Sequence, residues 1–167
     1  MTKKGSKETE RGLAVPDGEH IFPLRVYYED TDAGGVVYYA NYLRFAERAR
    51  SEMLRELGIE SSRMMAEDGV AFAVRRCEVD YLRPARLDDR LDVHTRLLAL
   101  KGASVEVDQR IVRPDDGAEI ARLALVLACL TMPGKIGARA GRAARIPAEI
   151  HRRLRAAHLQ VFNDPED

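Results

Sequence analysis

Net charge is what this chain most plainly lacks. Its 27 Lys and Arg are balanced by 27 Asp and Glu. There is therefore no overall positive field of the kind a nucleic-acid binder relies on, although a local basic pocket stays open. Cysteine is scarce too. Cys77 and Cys129 fit no metal-ligand spacing and make a poor disulfide framework. Free thiols in a reducing cytoplasm are the expected state. The longest apolar-rich run, Leu123 to Met132, falls well short of the ~20 residues that span a bilayer. The lysine-bearing N-terminus has no apolar core of the signal-peptide kind. No stable membrane insertion is expected, and no internal repeat is seen. His94, His151 and His158 have no Ser, Cys or metal-ligand partner at telling spacing, and they read as surface or structural.

What is present is an ordinary globular composition, 46% hydrophobic and 32% charged over 167 residues. That suits one domain with a real core. Residues 1–18 are polar and Gly-containing and read as a flexible tail. His20 to Tyr28 alternates as a first strand. An acidic turn follows, from Glu29 to Gly35. A helix is expected from about Ala40 to Leu57, with an apolar stripe of Leu43, Ala46, Met53 and Leu57, Ala49 and Leu54 beside it, crossed only by Arg50. Gly58 is placed to cap it. Ser61 to Asp68 suits a short second helix ended by Gly69.

The pattern then changes to period two. Val70 to Leu82 reads as a strand with Ala71, Ala73, Cys77, Val79 and Tyr81 on one side. Arg90 to Leu100, Ala103 to Arg113 and Ala118 to Met132 follow as strands. The turns between them are Lys101-Gly102 and Pro114-Asp115-Asp116-Gly117. The last strand is the most apolar and is expected to be the most central. A basic loop from 133 to 146, with Lys135, Arg139, Arg142 and Arg145, leads to a closing helix from Pro147 to Phe162. The expected division is a tail (1–18), a main domain (19–132), and a loop with a C-terminal helix (133–167). Strand, long helix and four mostly antiparallel strands define an α+β fold. One helix covers one sheet, so the far side and the edges call for an oligomer.

The densest chemistry lies in D-T-D-A-G-G-V-V-Y-Y-A-N-Y, Asp30 to Tyr42, with R-F-A-E-R-A-R after it. With Y-L-R-P-A-R-L-D-D (Tyr81 to Asp89) and Gln109-Arg110-Ile111-Val112, it resembles the hot-dog-fold thioesterases, covering roughly Pro23 to Met132. The similar groups are the 4-hydroxybenzoyl-CoA type and the Tol–Pal-associated acyl-CoA type. The resemblance implies a central helix wrapped by a curved antiparallel sheet, sheets joined edge to edge in dimers, and often tetramers. It implies active sites at the dimer interface. The implied reaction is hydrolysis of an acyl-CoA or acyl-carrier-protein thioester with no metal or cofactor.

On that resemblance Asp32 is the catalytic carboxylate, attacking the thioester carbonyl or activating water. The backbone N–H of Tyr39, at the helix start, is the oxyanion donor. Tol–Pal-type relatives commonly carry His at the Tyr39 position. A backbone role survives that change, whereas an imidazole role does not. Gly34 and Gly35 let the acid and the helix start approach closely. Gly34, Val36, Phe72, Val74, Arg83 and Lys101 are the expected substrate-binding residues, Phe72 and Val74 serving the facing subunit and the two cations meeting CoA phosphates. Arg86 is a further rim cation, and the basic loop could meet CoA, carrier protein or anionic lipid. Asp30 reads as shaping the turn, Asn41 and Tyr42 as anchoring the helix, and Glu47 as a solvated or salt-bridged carboxylate. Met64 and Met65 read as core or lid. Two other functions are compatible with the fold: a non-catalytic acyl or carrier-protein binding module or scaffold, which has no need of Asp32, and a dehydratase, which would want a His in the motif.

Overall fold

The computed structural model describes residues 18–134 and 140–161, the side chains of 159–161 excepted. The expected tail, Lys135 and Arg139 of the basic loop, and the expected helix end at Phe162 lie outside them. Five strands form one antiparallel sheet: β1 Glu19–Arg25, β2 Val70–Tyr81, β3 Arg90–Leu100, β4 Ser104–Arg113 and β5 Ala118–Thr131. Their spatial order is β1-β3-β4-β5-β2. Helix α1, Asn41–Glu56, lies over one face. A single turn, α2 Ser61–Arg63, runs on into a wider π-turn at Met64–Asp68, and α3 spans Ala148–Val161. Among the described residues no helix is long and apolar enough to cross a membrane.

The helix forms where the spacing predicts, but its buried stripe is shifted. Tyr42, Phe45, Ala46, Ala49 and Met53 face the sheet, together with Arg50, and Leu43 is exposed. The stripe meets Leu91, Val93, Leu97, Val105, Val107, Ile111, Leu123 and Leu125 from the inner face. Each fully buried large side chain there contributes ~1.5–3 kcal/mol. Gly58 ends α1 at φ +74, a left-handed conformation that costs glycine least. Ile59 N–H then donates to Leu54 O, as a helix-terminating glycine allows.

Three expectations are corrected by the sheet. The first strand stops at Arg25, because Tyr28–Asp30 winds into a short 3-10 turn; Val26 is buried and Tyr28 is exposed. The β2 face flips midway. Val74 pairs with Leu127 and Arg76 with Val126, so Arg75 is an extra residue in the ladder. A bulge of this kind reverses the parity of everything beyond it. The residues packed on the core are therefore Val70 and Phe72, then Cys77 and Val79, and not Ala71 and Ala73; Val74 shares the parity of Phe72 but is half exposed. The central strand is β4, not β5, because β2 crosses to pair with the far side of β5.

The outer face of the sheet is strongly polar. Glu19 pairs with His94, Arg96 and Arg110 across β1, β3 and β4. Burial alone would raise its pKa, but hydrogen bonds from Arg110 and His94 outweigh that and hold it below the usual value. A face of this kind can meet water without a covering layer. Helix α3 adds a second cover on the inner side, through Ile150 and Leu154. Its Arg153 donates to Leu57 O and Gly58 O, which ties α3 to the end of α1. Cys77 and Cys129 are free thiols, and burial pushes both pKa values up.

Candidate active site

The acidic turn is a miniature hairpin. Thr31 bridges Val37, Asp32 N–H donates to Val36 O, and Tyr38 N–H donates to Asp30 O. The hairpin leaves Gly35 at φ +76, where a side chain would be strained. Asp30 is buried and pins this hairpin to its surroundings. Its Oδ2 accepts from Tyr27 N–H at 2.8 Å and its Oδ1 from Asn41 Nδ2 at 3.1 Å. The turn-shaping role read for Asp30 and the anchoring role read for Asn41 are thus one contact. Tyr42 makes the second anchor: its hydroxyl accepts from Ala85 N–H at 3.1 Å.

Asp32 stands at the exposed tip of the hairpin. Its Oδ1 accepts from Gly34 N–H at 2.8 Å and more weakly from Val36 N–H at 3.4 Å. A Cβ on Gly34 would sit 3.2 Å from that oxygen, so the glycine keeps the carboxylate seated. Oδ2 has no hydrogen bond among the described residues. One carboxylate oxygen therefore braces the turn while the other faces outward.

The helix start has the complementary polarity. Asn41 N–H donates to Tyr38 O at 2.8 Å. In a trans peptide the following N–H points the opposite way, so Tyr39 N–H is directed off the end of α1. Neither Tyr39 N–H nor Ala40 N–H has a backbone partner among the described residues. Ala40 at the cap position supplies no side-chain acceptor, and the first turn of α1 carries no acidic residue. The positive end of the helix is therefore left unneutralised. Tyr81, on β2, donates its hydroxyl to Tyr39 O at 3.1 Å. This bond orients the peptide whose N–H belongs to Ala40, and it joins residues 42 positions apart, beyond the reach of any local sequence pattern. Burial raises the Tyr81 and Tyr42 pKa values, which keeps both phenols protonated at neutral pH.

The anticipated residues separate into two groups toward opposite ends of β2. Asp32, Gly34, Val36, Tyr39 and Arg83 cluster where the hairpin meets the segment after β2. Val36 bridges Arg86 and Leu87 N–H donates to Gly35 O. Arg83 and Arg86 are exposed there. Phe72 and Val74 lie toward the other end of β2 and line a cavity of about 310 Å³ with Arg50, Leu54, Met64 and Met65. Lys101 is also at that end, beyond the last residue of β3, and pairs with Glu106 at 3.0 Å. β3 is 11 residues long, and at about 3.3 Å per residue its two ends stand well apart. Glu47 is exposed and accepts from Ser51 at 2.7 Å rather than from Arg44 or Arg50.

A helix laid across a five-stranded antiparallel sheet, with an acid-tipped hairpin at the helix's open end, defines a hot-dog thioesterase. Known proteins agree. The Thioesterase-like superfamily pattern matches residues 26–154, so the chain belongs to that superfamily and is an enzyme of the thioesterase class. It is 53% identical over 95 residues to the acyl-CoA thioester hydrolase YbgC of Escherichia coli O6:H1, spanning 57% of this chain and 70% of that protein. It is 50% identical over 97 residues to the acyl-CoA thioesterase YbgC of Haemophilus influenzae, spanning 58% of this chain and 71% of the relative. Among solved structures it matches a probable thioesterase from Bartonella henselae with a TM-score of 0.69 and 34% identity, over 77% of this chain and 99% of that one.

Proposed function

We propose that the protein hydrolyses the thioester of an acyl-CoA, or of an acylated carrier protein, to the free acid and the thiol. The observation that carries this reading is that one short segment holds both a free carboxylate oxygen, on Asp32, and an unpartnered N–H at the positive end of α1. The carboxylate attacks the carbonyl carbon or takes the proton of an attacking water. A new C–O bond forms and the carbonyl oxygen gains charge, which Tyr39 N–H and the helix end receive. The C–S bond then breaks and the sulfur leaves as a thiolate; where Asp32 itself attacked, water cleaves the resulting acyl–Asp anhydride to release the acid and restore the carboxylate. A thiol of pKa ~8.5 is a good leaving group, so no strong acid is needed.

The working unit in this reading is a pair of chains. Five of the six tyrosines are exposed in the single chain: Tyr27, Tyr28, Tyr38, Tyr39 and Tyr81. Of these Tyr81, with Val74 and Leu82, lies on or just after β2, a long edge strand, and Tyr39 packs on Tyr81. Such an edge is normally covered or charged. Antiparallel pairing of two β2 strands brings the Phe72–Val74 end of one chain toward the Tyr81 end of the other. The cavity of one copy then faces Asp32 of its partner, which reunites the two groups of residues. Arg83 and Arg86 would lie at the mouth, where CoA phosphates pass.

The test is thiol release from an acyl-CoA panel covering short, long and aromatic acyl groups. Hydrolysis of at least one member is expected at a kcat/KM above ~10⁴ M⁻¹s⁻¹. Absence of hydrolysis across acyl-CoA and acylated carrier protein would overturn the reading.

A further inference from the structure

The cavity beside β2 has an unusual wall. Most of it is apolar: Leu54, Met64, Met65, Phe72, Val74 and Leu127. Glu47, Arg50, Ser51 and Ser61 also line it, and of these Arg50 is buried, only 9% exposed. Arg50 Nη1 donates to Gln109 Oε1 at 2.8 Å. Gln109 is completely buried, and its own Nε2 donates to Ala46 O at 3.0 Å and Thr95 Oγ1 at 2.9 Å. The guanidinium is thus held rigidly by a neutral partner. Among the described residues no carboxylate pairs with it, and Nε and Nη2 make no hydrogen bond. Neither nitrogen is sealed away from the cavity among the buried, unpaired polar atoms. Glu47, one turn earlier on the same helix, bonds Ser51 instead. Burial is the dominant influence on Arg50 and pulls its pKa down, against a weaker opposing pull from the nearby Glu47 carboxylate.

An arginine presents five donors in a fixed fork. Here the rest of the fork borders a largely apolar space, with Glu47, Ser51 and Ser61 on its rim, that is too small for CoA and at the lower limit of the ~300–1,000 Å³ typical of small-molecule pockets. Resting on the acyl-thioester reading, we infer that this cavity takes the acyl group, and that Arg50 selects acyl groups carrying a hydrogen-bond-accepting oxygen away from the thioester. A hydroxyl, carbonyl or carboxylate there completes the fork while the remaining carbons pack on the methionines and Phe72. A plain saturated chain leaves the donors unmet. Sites with buried hydrogen-bonding groups discriminate strongly against ligands that cannot pair with them.

The experiment uses CoA thioethers of the 2-oxoalkyl type, which cannot be hydrolysed, so binding is read apart from turnover. Three probes of equal chain length end in methyl, hydroxyl or carboxylate. Their affinities for the intact protein are measured by calorimetry. Wild type is expected to bind a hydroxyl- or carboxylate-ended probe at least ~10-fold tighter than the methyl-ended one, and the better of the two identifies the oxygen. Arg50→Met should erase or reverse that preference. Arg50→Lys, which keeps the charge but not the fork, should retain part of it and guards against misfolding of the methionine variant. Equal or tighter binding of the methyl-ended probe by wild type, or a preference that survives Arg50→Met, overturns the inference and leaves the thioesterase reading standing. Failure of all three probes to bind overturns the inference; failure to hydrolyse the acyl panel overturns the reading beneath it.

Discussion

Replacing Gln109 by leucine should be among the most damaging single changes in the core. The side chain is fully buried and accepts from Arg50 while donating to Ala46 O and Thr95 Oγ1. Leucine matches the size but offers none of these bonds. A buried group left without its partner costs ~1–3 kcal/mol, and a charged one lies at the top of that range. Ala46 O retains its place in the helix ladder and the Thr95 hydroxyl can rotate, so their costs are at the low end. The expected loss is about 3–5 kcal/mol, a large part of a typical stability of ~5–15 kcal/mol. Urea unfolding at fixed protein concentration reads it directly. Adding Arg50→Met to Gln109→Leu should recover stability, because the uncompensated charge is removed, giving a coupling above ~1 kcal/mol. A loss below ~1 kcal/mol for Gln109→Leu, or simple additivity in the cycle, would refute this account of the network.

Other outcomes follow from separate parts of the structure. Val74→Asp places a charge on a half-exposed β2 position; folding of the single chain should change by ~0.5 kcal/mol or less, while sedimentation shows dissociation and activity falls. Tyr81→Phe removes the hydroxyl bond to Tyr39 O and should lower kcat by ~2- to 10-fold, the worth of one neutral hydrogen bond. Tyr39→Phe keeps the backbone N–H and should leave kcat within ~2-fold, a contrast read in the same assay. Glu19 has a depressed folded pKa, so its stabilising contribution is present at neutral pH and is lost as pH falls through that pKa. The stability difference between wild type and Glu19→Gln should accordingly be largest near pH 7 and vanish in acid, as followed by thermal melts across pH.

Local features could be read from the chain and nonlocal ones could not. Gly58 as a helix terminator, the Pro114–Gly117 turn and the Asp30–Tyr42 segment all act through neighbours within a few positions. Arg50 was visible as a break in an apolar stripe, but its meaning depends on Gln109, 59 residues away. The bulge at Arg75 carries no glycine or proline to announce it, yet it reverses half of β2. The position of β2 at the sheet edge depends on pairing with β5, across two intervening strands in sequence. The separation of Phe72 and Val74 from Asp32 within one chain follows from that pairing, and no local pattern encodes it.

The role given to Asp32 is tested most directly by Asp32→Asn. The amide keeps an oxygen for Gly34 N–H and Val36 N–H, so the hairpin and the melting temperature should be preserved. The carboxylate that attacks or activates water is gone. Steady-state hydrolysis of the best acyl-CoA substrate should fall by ~10²- to 10⁴-fold in kcat, with KM little changed. A folded Asp32→Asn protein that turns over at the wild-type rate would contradict the account.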